Sequence, residues 1–449
     1  MKKIVLSMLA LSFMQIGFAQ FGNLLDRAKN KVNNKINQKI DEKMDKAVDK
    51  GAASAEEGVK NAGKSAKKTG STTTETVEES TTEETKPAKK AVSANTPSFK
   101  SYSKFDFVPG EKLLAAEDFS QDAIGDFPAK WNTNGSGEIV TTNAKEGRFL
   151  MTQKEVVFYP EWIKDLPDNF TLEFDLLSTE KFSYYSGFLN VGFSTSTNVG
   201  SDFRKFARFG QGRLENNGGG FEVSFHPQNA GGSQGMTGFY SSYDEKEFLK
   251  NSADQDKFSE PEKTSVRISV WRQKTRVRVY MDDKKVWDMP KALPEGMELH
   301  SLYFRNDAAS NDEDAFYVGN VRLAVGAPDT RNKLLTEGKF VSHGIFFDVN
   351  SDKIKAESYG AIKDIANVLS ENAGVKVMII GHTDSDGDDD SNLALSKKRA
   401  EAVKNVLSKE FGISASRLST DGKGASEPVD SNDTSLGKAN NRRVEFVKQ

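Results

Sequence analysis

At 449 residues the chain exceeds what one ordinary core organises, which predicts two or three domains joined by linkers. A formal net charge of −3 excludes bulk electrostatic capture of nucleic acid, which needs a strongly basic face. The sequence has no cysteine, so disulfides are excluded and no lipidated cysteine is expected as an anchor.

In chain order, Lys2 and Lys3 precede an apolar run from Ile4 to Ile16, and Gly17 and Ala19 are small. This predicts a secretory signal peptide over residues 1–19, cut after Ala19. A membrane anchor fits less well because the run is short. No later segment is apolar enough for a transmembrane helix, so the mature protein is expected to be soluble or peripherally attached.

Residues 20–69 read as an amphipathic helix. Ala28, Val32, Ile36, Ile40, Met44 and Val48 recur every four residues, a spacing that winds slowly around a helix as a coiled-coil-like stripe. Six lysines (Lys29, Lys31, Lys35, Lys39, Lys43 and Lys46) would favour an anionic membrane surface. Asp41, Glu42, Asp45 and Asp49 weaken that reading and favour a solvated, weakly self-associating helix. Residues 70–99, with STTTETVEESTTEETKPAKKA, are nearly free of apolar side chains and predict a disordered linker. Fully extended, it reaches on the order of 100 Å.

Residues 100–328 change character. Runs such as Phe170-Thr171-Leu172-Glu173-Phe174-Asp175-Leu176 and Arg276-Val277-Arg278-Val279-Tyr280 alternate apolar with polar. Such alternation predicts an all-β sandwich, with Val277 to Trp287 as a hairpin around Asp282-Asp283. The element order resembles the concanavalin-like (laminin-G-like) jelly roll, with Asp118-Phe119-Ser120 and Phe127-Pro128-Ala129-Lys130-Trp131 near its opening. That fold hosts glycosidases as well as lectins, so it does not decide activity. One jelly-roll glycosidase family carries Glu-x-Asp-x-x-Glu; here Glu173 and Asp175 are followed by Ser178 in place of the acid. Glu173 and Asp175 are therefore expected on a solvent-facing side of a strand. Tyr184, Tyr185, Tyr240, Trp271 and Trp287 could stack on sugars, although aromatics of a sandwich more often fill its core. The four histidines, His226, His300, His343 and His382, form no zinc motif and read as structural. There is no serine-nucleophile elbow and no phosphate loop, so no catalysis is expected.

Residues 336–449 alternate strand and helix. Phe340–Val349, Val375–Gly381, Ser416–Gly422 and Arg442–Val447 read as strands, and Lys353–Ser370 and Asn392–Lys409 as helices, giving an α/β two-layer sandwich. Four blocks stand in order: Phe347-Asp348-Val349-Asn350-Ser351; Gly381-His382-Thr383-Asp384; Asn392 with Leu395-Ser396-Lys397-Lys398-Arg399-Ala400 and Val403; and Pro428 with Asn441-Arg442-Arg443-Val444-Glu445. Together they resemble the OmpA-like peptidoglycan-binding family. In that family an Asp after the strand and an Arg on the following helix hold the diaminopimelate of the peptide stem, roles the resemblance places on Asp384 and Arg399. The chemistry suits a zwitterion: a carboxylate accepts from the ammonium and a guanidinium grips the carboxylate in a two-bond fork. Thr383 and Asn392 are expected to shape the loop. Asp348 and Asn350 are expected to line the pocket, and Arg442 to touch the ligand or a glycan carboxylate. For each of these an ordinary turn hydrogen bond is an equal alternative. For Asp384 with Arg399 the plain alternative is a surface ion pair.

The following loop, Ser385-Asp386-Gly387-Asp388-Asp389-Asp390, is very acidic, yet a calcium loop starting at Asp384 lacks its Gly at 389 and its Glu at 395. A solvated acidic loop is expected, and no metal or cofactor is called for. These features predict a non-enzymatic envelope protein of a Gram-negative-type cell, periplasmic or at the periplasmic face of the outer membrane. Its predicted role is a scaffold or anchor that binds peptidoglycan non-covalently. The alternative is a carbohydrate-binding or carbohydrate-active sandwich addressed to the wall by its C-terminal domain. A glycan or protein at the sandwich, and a membrane surface or a second copy at the N-terminal helix, are the further partners considered.

Overall fold

Alternation of apolar residues between positions 112 and 325 becomes two antiparallel sheets in the computed structural model, which describes residues 105–153, 155–202, 218–326 and 329–449. The expectations for residues 1–99 lie outside these residues. One sheet runs, in spatial order, β13 (Lys284–Met289), β12 (Arg276–Met281), β11 (Ser265–Gln273), β6 (Asn169–Ser178), β15 (Phe316–Val325), β4 (Arg148–Thr152) and β3 (Glu138–Thr141). β1 (Lys112–Glu117) pairs with the far half of β15. The other runs β10 (Lys246–Gln255), β9 (Gly235–Tyr243), β8 (Gly219–His226), β7 (Leu189–Ser194), β14 (Ser301–Asn306), β5 (Val156–Pro160) and β2 (Trp131–Thr133). Successive strand residues face opposite ways, so Leu172, Phe174, Val191 and Phe304 point into one shared core between the sheets.

An arginine closes one end of that core. Arg272 is 2% exposed and donates to the carbonyls of Lys274 and Met297 and to Asp168 Oδ1, at 3.1, 2.7 and 3.0 Å. Arg272→Met keeps the stem but leaves these acceptors unmet, and is expected to destabilise by about 2 kcal/mol. All four tryptophans lie between positions 131 and 287, so the urea midpoint read by tryptophan fluorescence measures this directly. An unchanged midpoint would show that Arg272 is not a tie.

The expected solvent face of β6 is corrected. Glu173 and Asp175 are 2% and 4% exposed. The outer face of the sheet is covered around them, and Arg267 lies between the two carboxylates, 3.6 Å from Glu173 and 3.2 Å from Asp175. Burial pushes Glu173 up. At Asp175 burial acts the same way, but Arg267 and Lys145 outweigh it and hold the carboxyl below its usual range.

The C-terminal residues form a four-stranded sheet in the order β16 (Lys339–Ser342), β19 (Val444–Lys448), β17 (Val377–His382) and β18 (Leu418–Gly424), with β17 and β18 parallel. Helices α1 (Tyr359–Glu371) and α2 (Asp389–Lys409) lay Ile362, Ile365, Leu369, Ala400, Val403 and Leu407 on Val377, Ile379 and Phe446. The strand expected to reach Val349 stops at Ser342. Beyond it Gly344 packs so closely on Pro109 that a Cβ there would lie 2.7 Å from the proline ring. α1 starts at Tyr359, after a short turn at Ala356–Ser358, later than the expected Lys353. Helix α3 (Ser435–Asn441) was not expected; Thr434 caps it by accepting the Gly437 N–H at 3.0 Å.

The two cores are held together. Phe105 and Phe107 pack on Trp271 and Tyr280 outside the first sheet, and a Cβ at Gly360 of α1 would lie 1.8 Å from the Phe107 carbonyl oxygen. Leu113 and Ala324 pack on Ala439 of α3, and Lys333 pairs with Glu111.

Candidate ligand cavity

The end of β17 is pinned on both sides. The His382 N–H donates to the Arg443 carbonyl at 3.0 Å and the Thr383 N–H to the Gly424 carbonyl at 2.9 Å. Asp384, the next residue, is 8% exposed. A Cβ at Gly381 would lie 2.3 Å from the Ser396 carbonyl oxygen. The bare glycine thus lets α2 press against the strand end and places Arg399, one turn beyond Ser396, beside it.

The acidic loop is explained by local structure. Asp388 caps α2 by accepting the Ser391 N–H at 2.9 Å. Asp389 and Asp390 sit in the first turn, where the helix dipole favours negative charge. Asp386 pairs with Lys438 at 2.8 Å. Asn392 Nδ2 donates to the Asp386 carbonyl at 2.9 Å, which ties the loop to the first turn of α2. Among the described residues no group of three or more His, Asp or Glu side chains is arranged to hold a metal ion.

Thr383, Asp384, Asn392, Arg399, Arg442 and Asn350 all line one cavity of about 440 Å³. Asp348 does not. Its carboxylate pairs with Lys353 at 3.2 Å, and its carbonyl accepts from Arg399 Nη2 at 3.5 Å. Asn350 takes the left-handed conformation, φ 51°, which asparagine tolerates at a turn.

Asp384 and Arg399 share the cavity without pairing to each other. The carboxylate of Asp384 is held by Arg442. Arg399 Nε donates to the Ser351 carbonyl at 3.0 Å, and its guanidinium lies 4.9 Å from the centre of the Phe347 ring. Burial lowers the Arg399 pKa, opposed by the charge of Asp384. In place of the alternative surface ion pair between them, the site holds an acid with a neighbouring arginine and an arginine that contacts only carbonyls and a ring.

Sequence reasoning missed the opposite wall. Glu117, Asp118, Asp175, Arg267, Asn320 and Arg322 enter the cavity from the two-sheet region, and Asp118 accepts from Ser435 Oγ of α3 at 2.7 Å. Six carboxylates and six basic side chains line the whole cavity, a balance suited to a zwitterion rather than to a simple anion or cation. Of the aromatics considered for sugar stacking, Tyr184 and Tyr185 are 43% and 84% exposed. Trp271 is buried, and Trp287 packs on the core.

The OmpA family model matches residues 346–442. Outer membrane porin F of Pseudomonas aeruginosa is 42% identical over 99 residues, 22% of this chain and 28% of that protein. The probable lipoprotein YiaD of Escherichia coli is 41% identical over 105 residues, 23% of this chain and 48% of that protein. The chain therefore spans less than half the length of these curated relatives. Among solved structures, the peptidoglycan-associated lipoprotein from Burkholderia pseudomallei is 27% identical, with a TM-score of 0.23 over 27% of this chain and all of that one.

Proposed function

We propose, from the OmpA-family domain at residues 346–442, that this is a periplasmic or outer-membrane-associated envelope protein that binds peptidoglycan non-covalently and performs no catalysis. The domain is taken as residues 336–449, and residues 100–328 as a concanavalin-like jelly roll. The ligand is the amino-acid-like end of a diaminopimelate stem. The observation that carries this reading is Arg399: it is half-buried, held by the Ser351 and Asp348 carbonyls and the Phe347 ring, and makes no ion pair among the described residues. A half-buried guanidinium with no carboxylate in contact keeps part of its desolvation cost, and a ligand carboxylate gripped in a two-bond fork offsets it. The ligand ammonium then binds Asp384, where it competes with Arg442 for the carboxylate. Thr383 Oγ1, buried and without a hydrogen-bond partner, is available beside it.

Co-sedimentation of the full-length chain with purified sacculi tests this. Wild type is expected to pellet, and Asp384→Ala and Arg399→Ala are each expected to weaken retention about tenfold, the loss of one charge-assisted contact. Wild type left in solution would overturn the reading. Retention that survives both substitutions would move the contact to the two-sheet region, where Tyr184 and Tyr185 are exposed, and favour the carbohydrate-binding alternative.

A further inference from the structure

Resting on the wall-peptide reading of the same cavity, we propose that the two-sheet region supplies a second carboxylate subsite, built on Arg322, so that the ligand is a peptide carrying a free main-chain carboxylate besides its zwitterionic side-chain end. The two cavity arginines without an ion pair are treated alike by the fold. Arg322 Nη2 donates to the His343 carbonyl at 3.0 Å, and its guanidinium lies 4.9 Å from the centre of the Phe346 ring. Arg399 makes the same two contacts, carbonyl and ring, with Ser351 and Phe347. One segment, residues 343–351, thus orients one guanidinium from each half of the molecule on adjacent phenylalanines.

Arg322 has a carboxylate close by and does not use it. Glu173 is its cross-strand partner in the sheet, where opposite charges normally meet. The Glu173 carboxylate instead lies 3.6 Å from Arg267, and Arg322 makes no ion pair among the described residues. Its Nε is sealed from water without a hydrogen-bond partner. Burial pulls its pKa down to about 10, partly offset by Glu173. A ring face offsets only part of the cost of desolvating a cation, so the site is completed by an anion.

The nearest anion in the proposed ligand follows from its chemistry. A diaminopimelate at the end of a stem presents two carboxylates, one beside the free ammonium and one terminating the main chain. Arg399 with Asp384 takes the first, and Arg322 takes the second. Residues 100–328 then act as part of the receptor, and the protein distinguishes stems with a free end from stems whose main chain continues or is amidated.

The test is titration of the full-length chain with a synthetic diaminopimelate-terminated tripeptide, as the free acid and as its main-chain amide. For wild type, amidation is expected to weaken binding about fivefold to tenfold. Arg322→Gln should bind both forms equally, at the wild-type affinity for the amide. Arg399→Gln should lose both. Arg322→Lys, which restores the charge, should recover part of the discrimination and guards against a packing defect in the glutamine variant. If wild type binds both forms equally, or if Arg322→Gln still discriminates, the Arg322 subsite is wrong while the wall-peptide reading stands. If wild type binds neither form, both fall.

Discussion

Gly381→Val is expected to destabilise the C-terminal half by about 3 kcal/mol or more and to abolish sacculus binding in the same step. The atoms a side chain would meet are main-chain atoms of α2: the oxygen, carbonyl carbon and Cα of Ser396, at 2.3, 3.0 and 3.3 Å. None can rotate away, so the helix itself must move. A displacement of about 1 Å is enough to carry Arg399 out of register with the Ser351 carbonyl and to cost binding beyond the loss of stability. Valine suits a strand, so propensity works against the expected result and leaves close packing as its cause. Gly374, whose added Cβ meets nothing within 4 Å, is the control: Gly374→Ala should leave both readouts unchanged. Hydrogen exchange of the β17 and β19 amides in urea, with sacculus pelleting, reads the two effects. Wild-type protection in Gly381→Val would refute the tight strand–helix contact.

Different parts of this structure were legible in the sequence for different physical reasons. The apolar spacing of Ile362, Ile365 and Leu369, and of Ala400, Val403 and Leu407, marks two helical faces, and those faces do form the core with β17 and β19. Their ends were less legible, because Asp388 starts α2 through a side-chain cap and the strand from Lys339 ends at Ser342, just before Gly344 packs on Pro109, a residue far away in the chain. Thr383, Asp384 and Asn392 fall at one cavity because they lie at or near one strand end, and short stretches carry their own geometry. Which arginine holds Asp384 is a tertiary fact, and here it is Arg442 rather than Arg399. The alternation through Glu173 and Asp175 told which face of β6 they share but not what covers it. Nothing in their spacing foretells that Phe346, Arg322 and the 343–351 segment meet over that face.

That buried, charged junction should make the protein acid-labile in two separable stages. Burial, reinforced by Arg322 and Arg443 and opposed by Glu445, lowers His343 to about 4 from an ordinary 6.5. Between those values the unfolded chain binds a proton that the folded one excludes, so stability is full above pH 6.5, falls toward pH 4 and then levels. The size is about 2–3 kcal/mol, discounted for the part of the ring that reaches solvent. Glu445 acts lower on the scale. Burial raises it, but the His382 ring 3.7 Å away, Lys339 at 2.7 Å and Arg443 at 2.9 Å outweigh burial and hold the carboxyl well below its ordinary 4.5. Its contribution is present above pH 4.5 and is lost as pH falls further, when the proton it takes weakens its ties to Lys339 and Arg443. Urea midpoints between pH 7.5 and 3, followed by exchange of the β19 amides, should therefore decline in two steps. His343→Asn should flatten the upper step and leave the lower one; Glu445→Gln should lower the midpoint at neutral pH and flatten the lower step alone. If both variants keep the wild-type profile, the junction between the two halves does not set the acid limit, and the carboxylates of the two-sheet region, led by Asp175 with its depressed pKa, become the groups to replace next.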